Sequence, residues 1–201
     1  MALCLAGCHT AQPAAPSEAK MATERDAISD EARGVAETAL GQQAEILAQG
    51  DLAQNGREQV FIVNRLPKAS PASEARGNPS SILITRAAIL EKNGGKWSEV
   101  LLCDEHLKNL NGYLGGSPAA RVNGWRLEYS QDAKQGLEMK FTPAERFDVM
   151  DGNTDQNSQQ KRPTFEVRWN KNAKRYQSFD QSHERYLSEV PSLETPESTL
   201  K

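Results

Sequence analysis

The chain has 201 residues, 37% of them hydrophobic and 25% charged, with a formal net charge of −3. That balance excludes a global preference for nucleic acid or anionic surfaces. No run of about 18 apolar residues is present to span a bilayer, and the length suits a single domain.

The chain opens with Leu5-Ala6-Gly7-Cys8. These four residues resemble the lipobox of bacterial lipoprotein signal peptides, where cleavage falls before a cysteine that follows a small residue. The resemblance implies a diacylglycerol on the Cys8 thiol and further acylation of the new amino terminus. A secretory signal carries a basic segment and then an apolar one of roughly 7 to 15 residues. Only Met1 to Leu5 precede Ala6-Gly7, without Lys or Arg. We therefore read residues 1–7 as a truncated signal peptide whose precursor starts further upstream. Residues 8–22 then form the lipidated cysteine and a flexible tether, because HTAQPAAPSEAK is too poor in apolar surface to offset its ordering entropy. His9, next to the cysteine, is not the aspartate of an inner-membrane retention signal. The expected address is the bacterial cell envelope, at the outer membrane or periplasmic face rather than the cytoplasm.

Of three cysteines, Cys4 leaves with the signal and Cys8 is acylated, so Cys103 stands alone in the mature domain. It follows Val100-Leu101-Leu102, which makes it a small core hydrophobe rather than a nucleophile.

The domain is expected over residues 23–187. Thr23-Glu24-Arg25-Asp26 reads as a capping-box-like start, and Ile28, Ala32, Val35, Ala36 and Ala39 recur at helical spacing before Gly41. From Gln42 to Gln49 both helix and strand are tenable. Beyond Gly50 come short β-like runs: Gln59 to Val63, Ser81 to Thr85 leading to Ile89-Leu90, and Lys96 to Leu102. Asn93-Gly94-Gly95 marks a hairpin. Gly124 to Tyr129, Leu137 to Phe141, Phe165 to Trp169 and Arg175 to Phe179 follow, alternating polar and apolar as half-buried strands do.

Counting Ala44 to Ala48 as a strand gives two groups of four. The expected fold is mainly β, an antiparallel β-sandwich-like domain of about eight strands with one N-terminal helix. Residues 188–201, with Pro191 and Pro196, read as a disordered tail.

Between the first two strands lies Gly50-Asp51-Leu52-Ala53-Gln54-Asn55-Gly56-Arg57-Glu58-Gln59-Val60. It resembles, in part, the calcium loop of integrin-like FG-GAP or VCBS repeats. The resemblance makes Asp51 and Asn55 candidate ligands and Gly56 the sharp turn. Ala53 and Gln59, however, stand where that family supplies oxygen donors of higher charge. Calcium favours several carboxylates, so we expect the turn to persist without the ion. Asp148, Asp151 and Asp155, with Asn153 and Asn157, lack the ordered spacing of an EF-hand and read as a flexible connection.

His106 follows Cys103-Asp104-Glu105, but neighbours in a strand point to opposite faces and do not form a nucleophile and base. No zinc spacing, nucleophile elbow, phosphate loop or dinucleotide fingerprint is present, so no cofactor is expected.

The stretch from Lys161 to Arg175 is basic and interleaved with Phe165 and Trp169. Arg168, Lys171, Lys174 and Arg175 are its candidate partner surface, facing an anionic envelope component or an envelope protein. A second candidate surface is the glycine-rich loop from His106 to Ala120, with Tyr113 exposed. The same charges also serve to keep a β-edge soluble. The expected function is a membrane-anchored, non-catalytic binding or scaffolding module. The alternatives are an envelope hydrolase using Asp51, His106 or the Asp148 to Asp155 cluster, and a calcium-stabilised module.

Overall fold

The computed structural model describes residues 28–66, 81–115, 122–144 and 163–191. The lipobox, the tether, the start at Thr23 and the Asp148 to Asp155 cluster lie outside these residues, as do Lys161 and Arg162.

Helix α1 runs over Asp30–Leu40. The Ser29 hydroxyl accepts the Ala32 amide at 3.1 Å, and Asp30 and Glu31 set negative charge against the helix N-terminus. Gly41, at φ 85°, closes the other end by donating its amide to Glu37 O. Ala32, Ala36 and Leu40, four residues apart, form the buried stripe.

The ambiguous segment after the helix is strand β1 (Glu45–Gly50), paired antiparallel with β2 (Gln59–Arg65). Gln59 to Val63 are buried without interruption. The cause is burial on both faces. Val60 and Ile62 pack with α1, while Phe61 and Val63 face the main core.

Strand β3 (Ser81–Asn93) is a single strand of 13 residues where the sequence suggested a run and a continuation. Its first four residues pair with β7 (Trp125–Asp132), and Ala87 to Asn93 pair with β4 (Lys96–Cys103). It thus joins the two expected groups of strands into one hydrogen-bonded sheet. Gly94 and Gly95 turn β3 into β4 with φ of 57° and 82°, the paired positive values of a two-residue hairpin that glycine adopts without strain. Val100 is skipped between the Ile89–Leu101 and Leu90–Glu99 pairs, forming a bulge.

The path continues through the short strands β5 (Leu107–Asn109) and β6 (Gly112–Tyr113) on one side. On the other it runs from β7 through β8 (Gly136–Pro143), β9 (Phe165–Asn170), β10 (Arg175–Asp180) and β11 (Arg185–Tyr186). All pairings are antiparallel, and the mainly β, sandwich-like domain with one N-terminal helix is the observed fold.

The sheet curls until its ends meet. Tyr113 and Val190 exchange backbone hydrogen bonds of 2.8 and 3.1 Å. Gly112 permits this closure: at φ 140°, a Cβ there would run into the Val190 carbonyl. Residues 188–191, expected in the tail, therefore belong to the fold. Pro191, one of the prolines that signalled disorder, does not oppose an extended strap that needs few backbone donors. Inside the curl lie Trp125, Phe61, Phe141, Leu127, Met139 and Tyr176, the centre of the core. Cys103 is fully buried among them, and burial, with the neighbouring Asp104 charge, pushes its thiol well above the ordinary value.

Candidate functional site

Where the curled sheet closes, two turns face each other across a cleft of about 140 Å³. One is the β5 to β6 turn with Asn109, Leu110 and Asn111, and the other is the β9 to β10 turn with Ala173, Lys174 and Arg175. Glu91, Val100 and Trp169 complete the lining. The bulge at Val100 turns that side chain toward this space, against the core.

Each turn is held by its own asparagine. Asn109 Oδ1 accepts the Asn111 amide at 2.7 Å, and Asn170 Oδ1 accepts the amides of Asn172 and Ala173 at 2.9 and 3.1 Å. The two are tied together by Asn109 Nδ2, which donates to Tyr176 O at 2.7 Å and to Glu189 Oε1 at 3.1 Å. Glu189 in turn accepts from Arg175 Nε at 2.7 Å and Nη2 at 3.1 Å. Burial would raise the Glu189 carboxyl, but the Arg175 and Asn109 hydrogen bonds outweigh it and hold the group at about 2.

Glu91 stands only 3% exposed. A buried carboxylate is stable when its charge and its lone pairs are answered. Arg57 Nη1 lies 2.6 Å from Oε1, and Asn55 Nδ2 and Gln59 Nε2 donate to Oε2 at 2.9 and 2.8 Å. Burial again works to raise the carboxyl, and these donors hold it below the usual range. The network ends at Tyr176, whose hydroxyl donates to Gln59 Oε1.

Of the predicted partner surface, Lys174 and Arg175 line the cleft. Arg175 is engaged by Glu189. Lys174 has no hydrogen bond or ion pair among the described residues, and its backbone is left-handed at φ 52°. Arg168 is only 15% exposed, bound by Glu166, by Glu138 at 3.3 Å and by Gln135 at 3.0 Å, with its guanidinium over the Phe179 ring. Lys171 is exposed and reaches Lys134 O at 3.4 Å.

The loop expected from His106 onward is a hairpin as far as Tyr113. Tyr113 is half-buried, its ring 5.1 Å from that of His106. Leu110, at the hairpin tip, is 79% exposed and is the exposed large apolar side chain among the described residues.

The loop after β1 closes on itself. Asp51 accepts the amides of Asn55 at 2.8 Å and Gly56 at 3.0 Å, while Asn55 Oδ1 accepts the Arg57 amide at 2.9 Å. Asn55 turns its NH2 group to Glu91, and Gln59 points into the core. The donors a calcium ion would use already face hydrogens, and one carboxylate is too little charge, so this loop does not fit the ion. No group of three or more His, Cys, Asp or Glu among the described residues is arranged to hold a metal. Asp51 and His106 occupy different networks: the Asp51 loop contacts Ala133 and Leu137, and His106 contacts Tyr113 and Asp104. Among the described residues no hydrogen bond or ring contact joins the two.

Glu91, Asn109 and Glu189 escaped the sequence reading. A usable signal was Asn109-Leu110-Asn111-Gly112, a tight-turn composition with an apolar residue at its centre.

Fold and cleft together define an all-antiparallel β domain with a small, polar-rimmed recess at the seam of its sheet. Comparisons with protein-family models, with curated proteins and with solved structures find no match to this chain. No helix among the described residues is long and apolar enough to cross a membrane.

Proposed function

We propose that this chain is a lipid-anchored protein of the bacterial envelope, acylated at Cys8, whose β domain is a non-catalytic module that binds an envelope partner at the cleft. The observation that carries the binding role is the meeting of the two candidate surfaces. The exposed Leu110 and Lys174, which has no hydrogen bond or ion pair among the described residues, stand on turns that line one recess. A single exposed leucine is ordinary, but an apolar tip beside a cation and an aromatic wall has the composition of a recognition rim. The turns are also fixed in place by Asn109, Glu189 and Arg175, so binding would order little new structure. The anchor is supported by the lipobox-like residues and the Pro/Ala/Ser-rich stretch after Cys8. Several acyl chains together anchor stably where one does not.

Photo-crosslinkers placed at position 110, and for comparison at Thr38 on the exposed face of α1, test the module in intact cells. Discrete adducts from position 110 and none from position 38 are expected. Equal labelling from both, or none from 110, removes the cleft from the proposal. Cys8→Ala, followed by membrane fractionation and mass analysis, tests the anchor: the variant should leave the membrane fraction and lose the lipid mass.

A further inference from the structure

Lys174 sits where the chain would prefer glycine. Its φ of 52° is left-handed, a conformation that is strained for a residue with a Cβ. Its side chain lines the cleft, and none of the described carboxylates pairs with it. The other charges of the recess are answered. Arg175 is held by Glu189, and Glu91 by Arg57. Among the described residues, the uncompensated charge at the rim is therefore a single positive one.

We propose that the cleft takes the carboxylate side chain of an extended acidic peptide, its anion on the Lys174 ammonium and its neighbouring apolar residue against Leu110 and the Trp169 wall. This rests on the cleft being the contact surface proposed above. A phosphate dianion fits less well. Its preferred fork, the Arg175 guanidinium, is already occupied by Glu189. A carboxylate needs one ammonium, and the recess holds about one side chain.

The test uses a short fluorescent peptide alternating glutamate and leucine, and its glutamine counterpart, titrated against the full chain by anisotropy. The glutamate peptide should bind about tenfold tighter than the glutamine one, the size expected of one charge-assisted hydrogen bond. Lys174→Gly separates function from folding. It relieves the left-handed strain, so the variant should melt no lower than wild type, yet it should bind both peptides alike. Lys174→Arg should keep the preference for glutamate. Equal binding of the two peptides to wild type overturns the inference, as does an unchanged preference in Lys174→Gly or displacement by millimolar inorganic phosphate. If position 110 still gives crosslinks in cells while neither peptide binds, the anionic ligand is wrong and the cleft remains the contact surface. If the crosslinks are absent, both fall.

Discussion

Tyr176 on β10 donates its hydroxyl hydrogen to Gln59 Oε1 on β2 at 2.8 Å, joining positions 117 apart in the chain. Both residues are fully buried. Burial first, then the Glu91 and Asp51 charges, push the phenol far above its ordinary value, so it stays a donor through the working range of pH. Gln59 passes the link to Glu91, and Glu91 to Arg57 at the surface. A chain of polar groups therefore runs from the buried Tyr176 out to the surface, alongside the apolar cluster of the core.

Tyr176→Phe preserves the ring and its edge contact with Trp169, at 5.2 Å between centroids, and removes only the hydroxyl. Gln59 Oε1 then loses its buried donor. The expected cost is about 1–3 kcal/mol, read as a lower denaturant midpoint with unchanged slope. A midpoint equal to wild type would mean that water replaces the phenol and that this interior is wetter than its burial indicates.

Acid should loosen the seam of the sheet. The Glu189 carboxyl lies at about 2 in the fold against an ordinary 4.5, so its folded value is depressed. Its contribution is complete above about pH 4.5 and disappears as pH falls through about 2, because the unfolded chain takes up the proton first. The loss is about 1–3 kcal/mol after allowing for the partly exposed Arg175. Glu91 and Asp104 are depressed too and steepen the same limb. Urea titrations at stepped pH should show wild type losing stability across that window, and Glu189→Gln losing less of it. Parallel curves for the two proteins would detach Glu189 from the effect.

The loop after β1 should be indifferent to calcium and sensitive to Asp51. Asp51→Ala frees two amides, those of Asn55 and Gly56, and should cost about 1 kcal/mol by the measure of a lost capping carboxylate. Asp51→Asn, which keeps an acceptor, should cost less. Melting temperatures with calcium and with chelator should coincide for all three proteins. A rise with calcium in wild type would show that the loop opens to take the ion, since a ligand of the folded state alone must stabilise it.

What the sequence revealed depended on the range of the interaction. Gln59 to Val63 announced a strand, and Gly94-Gly95 its neighbouring turn, because period and turn chemistry are local. Glu91 did not announce its burial: alternation reads a carboxylate near a strand end as solvent-facing, and its three donors stand 32 to 36 residues earlier. Lys174 and the segment from His106 each read as a contact surface, yet their meeting is invisible in the sequence. It depends on the curl that brings Val190 to Tyr113, and the composition of residues 188–191 gives no sign of that pairing. The enclosure of Arg168 within that basic hairpin has the same origin. Arg168 is enclosed by Glu138 of another strand and by Phe179 beyond the turn, neither of which a composition count can locate.

Cys103 gives a last prediction, about the interior rather than the cleft. It pairs with Ala87 on β3 and with Leu107 on β5, is fully buried, and has its thiol held in the protonated form by burial. The thiolate is the reacting species, so an aromatic disulfide reagent should meet two successive barriers, opening of the sheet and loss of the proton. With Cys4 and Cys8 both changed to serine, Cys103 is the remaining thiol. It should react at the rate of unfolding in buffer and within mixing time in denaturant. Substitution distinguishes packing from chemistry. Cys103→Ala removes one atom from the core, whereas Cys103→Ser keeps the volume but buries a hydroxyl, at about 1–3 kcal/mol when no partner is found. Serine should therefore be the more destabilising of the two. The reverse order would require an acceptor beside position 103, which would then be a polar site within the core.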